Sequence, residues 1–366
     1  MLSITPFSGS YAAEDVQFLL KAISLPDTPV AQKEILLQSG RKHYSEMLTH
    51  ERPPPSAYLE LFHQAMAQNA SLLAEHLIDL AQQIVHSRPA GITLVSLARA
   101  GTPIGVILKH ILQDYWHKDV AHYSVSIFRD VGLDLNALDY ILQQQRAESL
   151  VFVDGWTGKG VIARQLAKSL STYQQQKGIR VPAELFVVSD LCGQASYSAT
   201  NEDYLIPSSL LNATISGLVS RSILNPELLT QEDFHGCVYY TELQPYDLSR
   251  YFVAEMLAHV AKIATSKQPE THLCRVDKVQ LQAQTQAFLD TISTKYRITR
   301  LNNIKLGIAE ATRVLLRREA QRLLVQNQHA EAVQHLLWLA QEKAVPVEIL
   351  PTMPYQATAL IKELSS

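Results

Sequence analysis

Apolar positions along the chain set the first expectations. Between Ala57 and His86 they recur at helical spacing, at Leu61, Ala65, Leu72, Leu73, Leu77, Leu80 and Ile84, which predicts a long amphipathic helix. Pro53-Pro54-Pro55 ends whatever precedes it, and Ser56 can cap the start. The period then switches repeatedly. Ile92–Ala98 is a short apolar run rich in β-formers, and Pro103–Leu112 reads as a helix with proline in its first turn. His122–Phe128 alternates as a strand does, and Leu133–Gln145 reads as helix. Leu150–Asp154 is a buried strand ending in a carboxylate, Lys159–Gln176 an amphipathic helix, and Glu184–Ser189 another apolar strand. Strands separated by helices predict βαβ units, hence an α/β fold with a mostly parallel sheet. Right-handed crossovers place the functional loops at the carboxyl ends of its strands.

The alternation stalls from Gln194 to Ser222, a Ser-, Asn- and Thr-rich stretch. Cys237–Leu243 is a last strand candidate and Leu248–Ile263 a helix. Ala264–His272 is polar, contains Pro269 and reads as a linker. Beyond it the tail alternates again. Helices are expected near Gln282–Ile292, Gly307–Arg317, Ala330–Glu342 and Tyr355–Lys362, with strands near Arg297–Leu301, Arg322–Val325 and Val345–Ile349. Two domains follow, 1–265 and 273–366, in keeping with 366 residues at roughly 150 per domain.

Composition narrows the class. With 47% apolar residues the chain can bury a core, and Gly 14 with Pro 16 excludes collagen-like or low-complexity designs. The net charge of −3 hides a split. From His272 on there are 12 Lys+Arg against 8 Asp+Glu, a surplus of +4, which leaves 20 against 27, or −7, before it. The basic tail suits a polyanion. Three cysteines, Cys192, Cys237 and Cys274, are too few and scattered for a disulfide framework, so free thiols are expected. No run approaches a membrane span, and Met1–Pro6 lacks the features of a secretory signal. A soluble cytoplasmic protein without a membrane partner is expected.

Two strand-end segments carry candidate chemistry. In Val151-Phe152-Val153-Asp154-Gly155-Trp156-Thr157-Gly158-Lys159-Gly160-Val161 a strand delivers a carboxylate, and a Thr-Gly-Lys-Gly turn opens a helix. Glycines allow close backbone approach, and a helix start offers N–H groups to an anion. Thr157 adds a hydroxyl, Lys159 a cation, and Asp154 suits sugar hydroxyls or a hydrated magnesium. It is not a Walker A loop, since Gly160 and Val161 follow the lysine. In Leu94–Gly105 a strand ends in Arg99, and a small-residue turn, Ala100-Gly101-Thr102, leads into a helix near Pro103. Two anion cradles on one sheet fit a ligand with two phosphate groups.

These segments resemble the phosphoribosyl and pyrophosphate loops of type I phosphoribosyltransferases, in the same order along the chain. With His43–Glu46, His122–Ile127 and Glu202–Ser208, nearly the whole chain resembles the phosphoribosyltransferase-like family encoded beside tellurium-resistance stress systems, which carries a C-terminal pelota-like RNA-binding domain. Some of its members bear a cysteine-protease label. The resemblance implies a type I phosphoribosyltransferase-like sheet with helices on both faces, plus a smaller α/β pelota-like domain. It implies that Asp154 contacts ribose hydroxyls beside Trp156, that Thr157, Gly158, Lys159 and Gly160 hold a 5-phosphate, and that Arg99, Ala100 and Gly101 face pyrophosphate. Arg129, beside Asp130, falls on the flexible loop. Magnesium would be held through the pyrophosphate and by Asp154. The implied activity is phosphoribosyl transfer from 5-phosphoribosyl-1-pyrophosphate to an unidentified acceptor in a bacterial stress response, with Asp154, Arg99 and Arg129 catalytic. Gly155 departs from the family's second acid. His43, Tyr44, Glu46, Tyr197, Asn201, Asp203 and Tyr204 are candidates for the acceptor side.

In the tail, Gly307, Glu310 and Arg313 match the pelota-like kink-turn signature, while Ala309 replaces its Asn. With Arg317 and Arg318 they form the expected RNA contact. Expected partners are a phosphoribosyl ligand and RNA, with a homodimer as an option. Two other readings compete: a non-catalytic phosphoribosyl sensor with an RNA-regulating tail, and a cysteine hydrolase. The latter needs a thiolate beside a histidine, with Cys192 after a strand and His235 near Cys237 as the available parts.

Overall fold

The computed structural model describes residues 5–29, 32–33, 36, 41–266 and 277–362. Among them the strands run β1 Gln17–Leu19, β2 Lys21–Ala22, β3 Ile92–Leu97, β4 Val120–Val125, β5 Ile127–Phe128, β6 Gly132–Leu133, β7 Leu150–Thr157, β8 Leu185–Asp190, β9 Tyr197–Thr200, β10 Gly236–Cys237, β11 Ile304–Leu306, β12 Ala320–Val325, β13 Val347–Ile349 and β14 Ala357–Ile361. The α-helices are α1 Ser56–Ser87, α2 Gly101–Trp116, α3 Leu135–Leu142, α4 Val161–Lys177, α5 Ser249–Ser266, α6 Lys278–Tyr296, α7 Ile308–Arg317 and α8 Gln334–Glu342.

A six-stranded sheet forms the larger unit in the order β1-β4-β3-β7-β8-β9, and every pair in it is parallel. Its strands are apolar on both faces because helices cover both. Leu94, Val151, Val153, Phe186 and Val188 point toward α1, α2 and α5. The alternating Val95, Phe152, Leu185 and Val187 point toward α3 and α4. Leu73, Leu77 and Leu80 of α1 are fully buried, as the helical spacing requires. The smaller unit has the sheet order β11-β14-β12-β13, with β14 antiparallel to both neighbours and β13 parallel to β12. The apolar cluster around α1 continues into this unit through Ile308, Ala311, Leu315 and Leu323. The Tyr58 hydroxyl donates to the Leu316 carbonyl across the same boundary.

Several expectations are corrected. Residues 357–361 form a strand, not a helix. All five of its residues are buried and it lies centrally in its sheet, and a short, fully buried apolar run carries no period to distinguish the two. The strand expected at Arg297–Leu301 moves to Ile304–Leu306, because Arg297 at φ 53° turns the chain out of α6 first. Of Cys237–Leu243 only Gly236–Cys237 is strand, paired with Lys21–Ala22, and Thr241–Tyr246 winds into 3-10 turns around Pro245. β1, β2 and β9 had no clear signal, being short. Of the expected linker Ala264–His272, Ala264–Ser266 continue helix α5, and the remainder lies outside the described residues.

Candidate functional site

Both signalled loops sit at the carboxyl end of the large sheet, and the smaller unit closes over one of them. β7 runs on to Thr157, so Asp154 lies within the strand rather than at its tip. Gly101 lets α2 start against β7, since a Cβ there would stand 2.5 Å from the Val153 carbonyl oxygen. Gly160, at φ 70°, makes the sharp entry into α4, and a Cβ would meet Gln194 Oε1 at 2.4 Å. Gly155 has no such necessity, with the nearest neighbour of a Cβ at 3.6 Å.

Across the seam between the units, charge is matched internally. The Trp156 indole N–H donates to Glu310 Oε1 at 3.3 Å, and the Arg313 guanidinium lies over the indole at 5.6 Å. Glu310 pairs with Arg313 at 3.1 Å and with Lys305 at 3.6 Å. Burial pushes the Glu310 carboxyl up, but Arg313 and Lys305 outweigh it and hold it at about 2. Burial dominates at Asp154, raising its carboxyl to about 7, although Oδ1 accepts from the Gly155 N–H at 2.8 Å. Lys159 Nζ donates to the Leu301 and Ile304 carbonyls at 2.5 and 2.6 Å, and burial with Lys305 nearby lowers the ammonium to about 8. Asp203 clamps the units. Its carboxylate accepts from Ile308 N at 2.7 Å and Gln356 N at 2.8 Å, capping α7, and burial raises it to about 6. A cleft of about 330 Å³, mouth included, runs along this seam past Trp156, Gly158, Glu202, Tyr204 and Glu310.

Cys192 lies two residues past β8 on the same seam. Asp190 organises the turn, accepting from the N–H groups of Cys192, Gln194 and Ala195. The buried Sγ stands 3.5 Å from the Tyr355 hydroxyl, which is 2.7 Å from Thr285 Oγ1 on α6. Burial raises the thiol pKa, against which Tyr355, Thr285 and the Lys159 charge act to lower it. Cys237 sits in the apolar core around α1, where burial pushes it to about 12. The His235 ring is engaged by Ser126 Oγ at 2.8 Å. Among the described residues no hydrogen bond joins a histidine to either thiol, and Cys274 lies outside them.

The structure separates the other expected loop from the seam cleft. Arg99 donates to Glu51 at 2.5 Å, to the Val219 carbonyl at 3.1 Å and to Asn212 at 2.8 Å, so its fork is internally engaged beside Ala100 and Gly101. Arg129 lies in the turn between β5 and β6, over the Tyr44 ring. Gly307, Glu310 and Arg313 fall in the seam, while Arg318 is exposed, and the Arg317 side chain lies outside the described set. Of the acceptor candidates, His43 and Glu46 form a reciprocal cap, Tyr197 stacks on Phe186, and Tyr204 bonds His76. Sequence reading missed Glu51, Asn212, Thr285 and Tyr355, whose partners lie far along the chain. It also missed Asp190, although Ser189-Asp190-Leu191 repeats the strand-end carboxylate seen at Asp154.

The fold and the seam define a two-unit α/β protein whose parallel sheet meets a smaller sheet across a composite cleft. A family model described as "Tellurite-like stress resistance cysteine protease StiP" matches residues 9–257, and one described as "PELOTA RNA binding domain" matches residues 283–363. "Cysteine protease StiP" of Acinetobacter baylyi is 39% identical over 98% of this chain and 95% of its own length. The chain belongs to the tellurite-like stress resistance StiP family. Among solved structures, a hypoxanthine phosphoribosyltransferase of Trypanosoma cruzi is 13% identical over 37% of this chain and 76% of its own, with a TM-score of 0.25. A hypoxanthine-guanine phosphoribosyltransferase of Bacillus anthracis is 13% identical over 37% and 84%, also at 0.25.

These findings correct the expectation of phosphoribosyl transfer. The family and the full-length relative are named for a cysteine protease, which is the competing reading of the sequence. In the structure the two cations expected to meet phosphates, Arg99 and Lys159, bond internal partners.

Proposed function

We propose that this chain is a stress-response thiol hydrolase that cleaves peptide bonds, with Cys192 as its nucleophile and a tail that contacts RNA. The observation that carries the reading is the position of Cys192. Of the two described thiols within the family match, it is the one at the carboxyl end of the parallel sheet, buried one residue from Leu191 of the seam cleft, at the edge where open α/β sheets place their chemistry. Full-length similarity to a protein named a cysteine protease supports the reaction class.

The residues around the thiol suggest roles. Lys159 lies within electrostatic reach of Cys192, and its ammonium, held at about 8, can shed its proton near neutral pH. It would take the thiol proton and return it to the leaving amine, as lysine does beside serine in other hydrolases. The thiolate attacks the scissile carbonyl, and water then releases the acyl group from sulfur. In the conformation described here the thiol is covered by Tyr355 and Thr285 and kept protonated by burial. Attack therefore follows a loosening of α6 and the smaller unit from the large sheet. The exposed Arg297, Arg300 and Arg318 supply cationic surface for phosphates on the unit matched by the RNA-binding model.

The test is adduct mapping. The full chain is incubated with a peptidyl epoxide and the modified residue is located by mass spectrometry. An adduct on Cys192 is expected. An adduct confined to Cys237 or Cys274 would overturn the assignment.

A further inference from the structure

The contact between Cys192 and the smaller unit has a direction, and counting hydrogens gives it. Thr285, on α6, donates through Oγ1 to the Leu281 carbonyl at 2.8 Å. A carbonyl can only accept, so the one hydroxyl hydrogen of Thr285 is committed there. The Tyr355 hydroxyl lies 2.7 Å from the same Oγ1 and must therefore donate to it, which commits its own hydrogen. Toward Cys192 Sγ, at 3.5 Å, the phenol oxygen then has only lone pairs to offer, and the thiol is the donor. The result is a one-way chain: Cys192 S–H to the Tyr355 oxygen, Tyr355 O–H to Thr285, Thr285 O–H to the Leu281 carbonyl.

The chain is enclosed and held in place. Cys192, Thr285 and Tyr355 are all buried, so bulk water does not supply other partners. Lys278 donates to the Ala195 carbonyl at 2.9 Å and Gln282 to the Gly193 carbonyl at 2.6 Å, which pins α6 to the turn that carries the thiol. Phe288 of the same helix meets the Tyr355 ring edge-on at 5.5 Å. The charged and titratable groups that act on the thiol are Asp190, Lys159 and Tyr355, with Lys278 acting on Asp190 from α6. Asp190 opposes a thiolate and Lys159 favours one. A phenol favours a thiolate only when its hydrogen points at the sulfur, and here it points away.

We infer, on the reading that Cys192 is the working thiol, that the smaller unit latches it in the protonated form through this chain, with Thr285 and Tyr355 as positioning residues. Ionisation requires the chain to turn over. The proton leaves sulfur for the Lys159 amine, and Tyr355 swings its hydrogen from Thr285 to the sulfur. The Thr285–Tyr355 bond then survives only if Thr285 gives up Leu281. Withdrawal of α6 and Tyr355 from the turn releases the latch in one movement.

The experiment follows the S–H stretch of the full chain by infrared spectroscopy against pH, with the Cys192→Ala spectrum subtracted to leave the Cys192 band. Band position reports whether the thiol donates, and the midpoint of its disappearance reports ionisation. In the parent the band should lie below the free-thiol frequency, and Tyr355→Phe should return it there. Thr285→Val leaves sulfur as the acceptor for the Tyr355 hydrogen and should lower the midpoint by about one pH unit, the scale of one hydrogen bond to a charged group. Thr285→Ser should keep the parent midpoint, and the valine shift should vanish in the Tyr355→Phe background. A loosened fold would shift the midpoint with or without the tyrosine hydroxyl. A free-thiol band in the parent, or the same valine shift in both backgrounds, would overturn the latch. Should Thr285→Val misfold, the band positions of the parent and Tyr355→Phe still decide. No peptide enters the measurement, so an overturned latch leaves hydrolysis by Cys192 standing, and a chain inactive toward peptides leaves the latch standing.

Discussion

The two ends of the carboxyl edge of the sheet handle charge in opposite ways. At the seam, Glu310 is ringed by Arg313, Lys305 and the Trp156 N–H, so that this buried carboxylate has its partners within the chain. Beside Tyr44, Arg221 keeps one buried donor, Nη1, with none. On this comparison the seam is a clasp that covers Cys192 through Tyr355 and Thr285, and the Arg221 loop holds a buried charge with weaker internal support.

The sharpest way to break the comparison is to remove the thiol. Cys192→Ala should lower peptide hydrolysis by more than about a hundredfold, the scale of losing a nucleophile. Cys237→Ala, in the core, should leave turnover intact and cost about 1 kcal/mol of stability in urea titration. The next effect falls on the clasp. Glu310→Gln unpairs Arg313 and Lys305 and should destabilise the fold by about 1–3 kcal/mol. If the seam hides the thiol, the same variant should also speed alkylation of Cys192. Unchanged alkylation would separate the clasp from the thiol.

Acid and base should act on the seam with opposite signs. Glu310 is held at about 2, so its contribution is present above the ordinary glutamate range and fades as pH falls toward 2. Asp154 is raised to about 7, so the folded state prefers its protonated form and stability declines as pH rises from about 4 to about 7. Asp154→Asn should abolish that decline while leaving the acid limb. Denaturation midpoints across pH for the parent and both variants check this. The smallest effect is expected at the surface: Arg318→Gln should weaken RNA binding a few-fold and lower its salt slope by about one.

Much of the fold was legible because strands covered on both faces stand out as short continuous apolar runs between segments of helical period. The runs at Ile92, Leu150 and Glu184 became β3, β7 and β8 within a few residues. Residues 357–361 were misread for the same reason, since a fully buried five-residue run has no period. The site was legible only in part. Glycines and cations at strand ends marked the right edge of the sheet, but sequence cannot show where a long side chain goes. Lys159 reads as a phosphate ligand until its bonds to Leu301 and Ile304 are seen, and both partners lie over a hundred residues away. Cys192 looked like an ordinary turn residue because Tyr355 and Thr285, which give it context, come from another unit.

The central claim is that Cys192 performs hydrolysis. Its most direct test is the rate at which the purified full chain and its Cys192→Ala variant cleave a fluorogenic mixed-sequence peptide library, with and without sub-denaturing urea to loosen the seam. The account predicts cleavage by the parent, faster as the seam loosens, and none by the variant. Equal cleavage by both, or cleavage by neither under either condition, would contradict it.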